Sequence, residues 1–374
     1  MNGRERFHGV MNFEPVDRTP FWEFMGFWPE TIDRWHAEGL PAEVQLRDYY
    51  LGGDHIQSPD AVVDPKEYFG FDPVASIPID FNPFPAFEPL VLAEDERTRT
   101  VRDEVGVTKR VFKSGSAMPH YVDFPLKTRR DFLAFKERLD PASPGRYPAD
   151  WAEKVRAWKN RDFPLYLICR GLFAFGRDFM KFDELMMALL LEPAWIREMM
   201  EFQTDFMIRL WERALGEMEV DFVYIGEDMA FKNGPMLAPA LARELLLPCY
   251  RRLTAFLRAG GVRHIIVDSD GDVRTLLPIL LEGGVTGILP VERTGGVHPL
   301  KLRQEFPKLQ MIGALDKQAI ARGGEALRRE VREVAAPLAR QGGFIPGFDH
   351  SVHPLTALAT YREYLEELRR ATRR

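Results

Sequence analysis

Over its C-terminal two-thirds the chain alternates two hydrophobic rhythms. Amphipathic stretches at helical spacing run into Gly-Gly pairs, and each pair is followed by a short run of apolar, β-prone residues. Gly260-Gly261 precedes residues 262–267, Gly283-Gly284 precedes 285–291, and Gly342-Gly343 precedes 344–347. A glycine just past a helix supplies the left-handed residue that stops it and turns the chain toward the next strand. Helix, Gly-Gly, strand, loop, helix is the order of a parallel α/β sheet. Strands are predicted at 19–24, 163–169, 222–225, 264–267, 287–291, 309–313 and 344–345, with an eighth in the region of 54–63. Seven or eight βα units in 374 residues fit one domain, residues 1–374, folded as a (β/α)8 TIM barrel. A doubly wound sheet is the alternative.

Residues 81–122 break the rhythm. Three prolines (Pro83, Pro85, Pro89) lead into alternating Thr, Val and Arg positions around charged turns, which predicts an inserted antiparallel β-hairpin. It either caps the mouth of the barrel or is a solvated surface hairpin.

Composition narrows the functional classes. Fifty basic against 56 acidic side chains give a net charge of −6, which argues against a nucleic-acid binder. Apolar stretches such as 276–281 end at Glu282 and glycines, far short of a membrane span. The first residues, Met1-Asn2-Gly3-Arg4-Glu5-Arg6, lead into no apolar run, so no signal peptide is expected. Two distant cysteines, Cys169 and Cys249, build neither a disulfide framework nor a thiolate zinc site, and a cytoplasmic location is expected. No nucleotide-binding loop and no GxSxG elbow is present.

The chemistry gathers at the predicted strand ends. Val267-Asp268-Ser269-Asp270-Gly271-Asp272 places three carboxylates where a buried strand stops, and these repel one another and cost desolvation energy. Glu23, Arg170, Glu227-Asp228, Glu292-Arg293, Asp316 and Asp349-His350 follow other strands. In a barrel all of these converge on one face. Helix capping is the simpler reading for Asp272 and Asp316. Asp268 and Asp270, two residues apart, face the same side of an extended chain, and with His350 they form a candidate site for zinc or another divalent metal. Hydrogen bonding to a polar substrate, or pairing with Arg170, Arg274 or Arg293, is the metal-free alternative.

Roughly from residue 200 to 370 the chain resembles the uroporphyrinogen decarboxylase superfamily, which includes methylcobalamin:coenzyme M methyltransferases. Glu227-Asp228-Met229-Ala230 is similar to the family's acidic pair after a strand, and Gly234-Pro235-Met236-Leu237-Ala238-Pro239 to its Gly-Pro turn. Val267–Asp272 falls on the His-x-Cys-Gly strand end, 280–285 on the Glu-x-Gly helix exit, and Gly313-Ala314-Leu315-Asp316 on Gly-Gly-Ile-Asp. Tyr361 sits in the C-terminal helix. The opening, Arg4-Glu5-Arg6 through Pro15-Val16-Asp17-Arg18-Thr19-Pro20, is similar as well. The resemblance also implies a (β/α)8 barrel.

Two departures shape what the resemblance implies. Phe24-Met25-Gly26-Phe27-Trp28-Pro29-Glu30 stands where the decarboxylase carries its carboxylate-gripping arginines, so a porphyrinogen substrate is not expected. The decarboxylase's Phe-Ser-Asp segment has only a loose neighbour in Gln57-Ser58-Pro59-Asp60. Asp268 and Asp270 replace the methyltransferases' His-x-Cys, and the later zinc-binding cysteine falls near Phe348, beside Asp349 and His350. The resemblance then implies methyl transfer from a small methylated or methoxylated compound to a corrinoid held on a separate protein. Glu227 or Asp228 would serve as general acid/base, Arg170, Arg293, Glu23 and Glu292 would contact substrate, and Asp268, Asp270 and His350 would ligate the metal. A metal-free decarboxylase of a uroporphyrinogen-like or smaller pyrrole acid, with no cofactor, is the second expectation. A non-catalytic tetrapyrrole or corrinoid carrier is the third.

Overall fold

The computed structural model describes residues 1–51, 54–57, 62–114 and 118–373. Seven strands form one curled parallel sheet: β1 (Ala75–Ser76), β2 (Leu165–Arg170), β3 (Phe222–Gly226), β4 (His264–Asp268), β5 (Gly287–Leu289), β6 (Gln310–Leu315) and β7 (Phe344–Phe348). Each strand pairs with its predecessor, and helices make the connections, giving a TIM-barrel-like α/β fold. The helices end as the glycine pairs predict, with left-handed backbone at Gly261 (φ +88°), Gly284 (φ +94°) and Gly342 (φ +80°).

Strand alternation separates two cores. Leu165, Leu167, Cys169, Val223, Ile225, Ile265 and Val267 pack outward under helices. Phe222 and Ile266 face inward, in a cluster with Phe7, Trp22, Leu289, Ile312 and Ile345. Asp268 follows His264 and Ile266 at two-residue spacing, so the period of the strand brings its carboxyl to the inner side.

The structure corrects three predicted elements. Residues 19–24 are not a ladder strand: Phe21 N–H donates to the Asp72 carboxylate at 2.7 Å and Glu23 reaches across to the Phe348 N–H, so side chains replace a backbone partner. Of the expected strand within 54–63, Asp54–Gln57 pairs antiparallel with Asp48–Leu51, and β1, unforeseen, joins β2 instead. Residues 58–61, including Ser58-Pro59-Asp60, lie outside the described residues. In place of a single hairpin over about 81–122, the strands Leu90–Glu94, Thr98–Arg102, Thr108–Phe112 and His120–Asp123 form a four-stranded antiparallel meander.

The first helix (Gly3–Met11) is latched to the end of the sheet opposite the acidic cluster. The carboxylate of Asp221, buried just before β3, accepts from Arg4 at 2.6 Å, Arg161 at 2.5 Å, His8 at 2.7 Å and the Leu165 N–H at 2.7 Å. Burial alone would raise its pKa, but these donors outweigh it and hold the carboxyl well below the usual range. Asp221→Ala is expected to cost about 3–5 kcal/mol, because Arg161, 2% exposed, would be left as an uncompensated buried charge. Denaturant titration measures it, and a midpoint within error of wild type would refute the latch.

Candidate active site

Arg170, Gly226 and Asp268 are register partners on β2, β3 and β4. Arg170 and Asp268 therefore stand two strand spacings, about 10 Å, apart at the carboxyl face of the sheet. Glycine between them leaves the space open. Tyr224, two residues earlier on the inner face of β3, donates its hydroxyl to Asp268 Oδ2. Burial is the main reason the Asp268 carboxyl is pushed up to about 7, and the nearby charges of Asp270 and Asp228 add to it. The Tyr224 phenol is pushed well up by the same burial and by Asp268. Near neutral pH the Asp268 carboxyl is therefore the group of the pair that exchanges a proton, while the Tyr224 hydroxyl stays protonated and hydrogen-bonds to it.

His350 stands beside this pair. Its Nδ1 accepts the Ser351 N–H at 2.8 Å, which leaves the proton on Nε2, facing Asp270 Oδ2 at 3.6 Å. The bond to Asp270 raises the imidazole pKa, and the ring stacks on Trp28 with centroids 6.4 Å apart. Asp268, Asp270 and His350 are thus brought together, but not as a ligand set. Among the described residues, no three His, Cys, Asp or Glu side chains are arranged to hold a metal ion.

The acidic pair after β3 divides its work. Glu227 is fully buried and accepts from the N–H groups of Leu172, Phe173 and Ala174, at the first turn of the helix Leu172–Phe179, and from the Tyr250 hydroxyl at 2.5 Å. Gly171 makes room for it, since a Cβ there would lie 2.2 Å from the Glu227 carboxyl carbon. Glu227 fixes a helix that carries Arg177 and Asp178, and its oxygens are all engaged. Asp228 is the open member, 39% exposed, paired with Arg177 and accepting the Asp270 N–H at 3.4 Å. Its backbone is left-handed (φ +48°), as are Val291 (φ +60°) and Ala314 (φ +73°) after β5 and within β6. Strain of this kind at three strand ends marks a functional face.

The remaining predicted residues take other parts. Arg293 points away from the face, pairing with Glu330 at 2.7 Å, so it is no free anion anchor. Glu292 binds Lys317 at 3.0 Å, and buried Asp349 accepts the N–H groups of Arg293 and Lys317. Asp316 caps the helix Lys317–Arg322, as expected. Asp272 does not cap a helix; it grips Arg274 at 2.7 Å. Glu23 is buried near the sheet centre beside a small cavity of about 10 Å³, and its Oε2 has no hydrogen-bond partner. Tyr224, Trp28, Arg177 and Asp178 were missed. Strand alternation alone marks Tyr224 as inward, but nothing local marks the others.

A cavity of about 1370 Å³ opens beside the acidic cluster, between the meander and the helix Leu172–Phe179. Arg99, Arg102, Lys109, Arg170, Arg177 and Lys181 line it together with five acidic residues, and Asp228 joins it to the acidic cluster. Val101, Val107, Phe124 and Phe179 supply apolar wall.

Comparison with known proteins places this geometry. The family model described as Uroporphyrinogen decarboxylase (URO-D) matches residues 105–371. A methyltransferase from Methanosarcina mazei has a similar fold, with a TM-score of 0.61 over 99% of this chain and 98% of that one, at 12% identity. A search of curated proteins found no match.

Burial pushes the Glu23 carboxyl up to about 8. The folded chain then holds a proton the unfolded chain has released, so the stability Glu23 contributes is present at low pH and lost as pH rises through about 8. Glu23→Gln removes the titration and keeps an oxygen for the Phe348 N–H. The Tm of the variant relative to wild type should therefore rise between pH 5 and pH 9. An unchanged difference would show that Glu23 ionises normally.

Proposed function

The chain belongs to the uroporphyrinogen decarboxylase family, and from that premise we propose that it is a methyltransferase-like enzyme acting on a small methoxylated or methylated compound. The observation that carries the reading is the Asp268–Tyr224 pair, buried, hydrogen-bonded and poised to give up a proton near neutral pH at the carboxyl ends of the strands. In an ether the oxygen–methyl bond breaks, the methyl group leaves for a nucleophilic acceptor, and the oxygen keeps the bonding electrons. Protonation of that oxygen by Asp268 turns an alkoxide or phenoxide into a neutral leaving group. Tyr224 orients the carboxyl through its hydrogen bond to Oδ2, the Asp270–His350 pair offers a second donor, and Asp228 faces the cavity through which substrate enters. A reduced corrinoid carried on a separate protein is the acceptor we propose.

The same acid favours one other reading. A decarboxylase expels carbon dioxide and then needs a proton at carbon, which Asp268 could equally deliver. Product identity separates the two.

Methyl transfer to reduced cobalamin is expected with at least one member of a panel of aryl methyl ethers and methylamines. Asp268→Asn should lower kcat by about 10²- to 10⁴-fold, and the wild-type rate should fall as pH rises through about 7, where the acid form is lost. Carbon dioxide release from a pyrrole acid, with no methyl transfer across the panel, would transfer the assignment to the decarboxylase.

A further inference from the structure

The cavity beside Asp228 carries a cation built for more than structure. Asp178 engages the Arg170 Nε at 2.7 Å and leaves its NH1 and NH2 nitrogens without a hydrogen-bond partner among the described residues. The guanidinium lies against two rings, its central carbon 4.6 Å from the Phe179 centroid and 5.5 Å from that of Phe81. Gln203 donates to the Arg170 carbonyl at 2.7 Å, fixing the backbone below it. The side chain is only 15% exposed, and the surface it keeps lines the cavity. A preoriented fork of this kind binds a planar carboxylate with two parallel hydrogen bonds at little entropic cost.

Three other cations of the wall are ion-paired, and Arg102 donates to the Glu88 carbonyl at 3.1 Å. Arg177 is paired with Asp228 and Asp178, Lys109 with Asp103 at 3.2 Å, and Lys181 with Asp183 at 3.2 Å. Six basic against five acidic residues leave one positive charge in excess, which a monoanion balances. The about 10 Å between the backbones of Arg170 and Asp268 suits one ring carrying an acid at one end and the reacting oxygen at the other.

We infer that the substrate is an apolar monocarboxylic acid, its carboxylate bound by the Arg170 fork and its ring laid against the apolar wall toward Asp228. The inference rests on the functional reading above for which end of the ligand reacts, but not for binding itself. Arg170 would be a binding residue that also sets the distance to the acid.

Calorimetric titration of the purified full chain with 4-methoxybenzoate and 4-methoxybenzamide tests it without turnover, so its failure would leave the methyl-transfer assay to be judged separately. The acid should bind at least tenfold more tightly than the amide. Arg170→Met should bring the two within twofold, and Arg170→Lys should keep part of the preference, with circular dichroism confirming both folds. Failure of wild type to bind the acid, equal binding of acid and amide, or full discrimination surviving in Arg170→Met would overturn the assignment. If Arg170→Met does not fold, the acid-to-amide ratio in wild type and its decline in Arg170→Lys decide the question.

Discussion

Burial of the Asp268 carboxyl against the Tyr224 phenol is the constraint on which the rest of the site depends. Two more carboxylates, Asp228 and Asp270, stand close enough for their charges to raise the Asp268 pKa. Three ionised groups so placed would repel strongly in a partly desolvated pocket. The conflict is resolved by division of labour. Asp228 is neutralised by Arg177, Asp270 faces the imidazole of His350, and Asp268, the most buried, keeps its proton. A carboxyl that retains its proton near pH 7 arises here chiefly from burial, with the charges of Asp270 and Asp228 adding to it.

The same logic separates framework from chemistry among the other charged residues. Glu227 and Asp349 are buried carboxylates satisfied largely by backbone N–H groups, and each ties one strand end to the start of a neighbouring segment. Groups so engaged hold loops in place rather than face the cavity. Asp228, Arg170 and Asp270 keep exposed surface, and they form the rim of the cavity or of the acidic cluster. Unspent hydrogen-bonding capacity, rather than charge, distinguishes these residues from the framework carboxylates.

The meander changes what the site can accept. It places Val101, Val107 and several cations over the side of the face next to β2, converting an open strand end into a half-open cleft. Apolar wall and paired charges lower the effective dielectric around Arg170, and an ion pair formed there is screened less than one at the surface. Such a cavity favours a ligand with one charged end and an apolar body over a polyanion, consistent with the missing arginine pair near the N-terminus.

Sequence by itself determined the α/β alternation, because glycine stops and apolar runs are local properties that act over a few residues. The Gly-Gly pairs fall where helices end, and six of the seven strands, β2 to β7, lie close to the predicted runs. It also placed acids at strand ends, since a residue's position along a strand fixes which end it reaches. Only the tertiary structure decided which of those acids does what. Glu227 and Asp228 are adjacent in sequence, yet one is sealed under a helix and the other opens to the cavity. Asp268, Asp270 and His350 meet as expected, but their protonation is set by packing: the Ser351 N–H occupies Nδ1 of His350, and burial raises the Asp268 carboxyl. The ladder of Ala75–Ser76 with β2 and the cap over the face depend on contacts across scores of residues. Protonation and accessibility depend on the surroundings of a group in space, and a linear pattern carries no record of them.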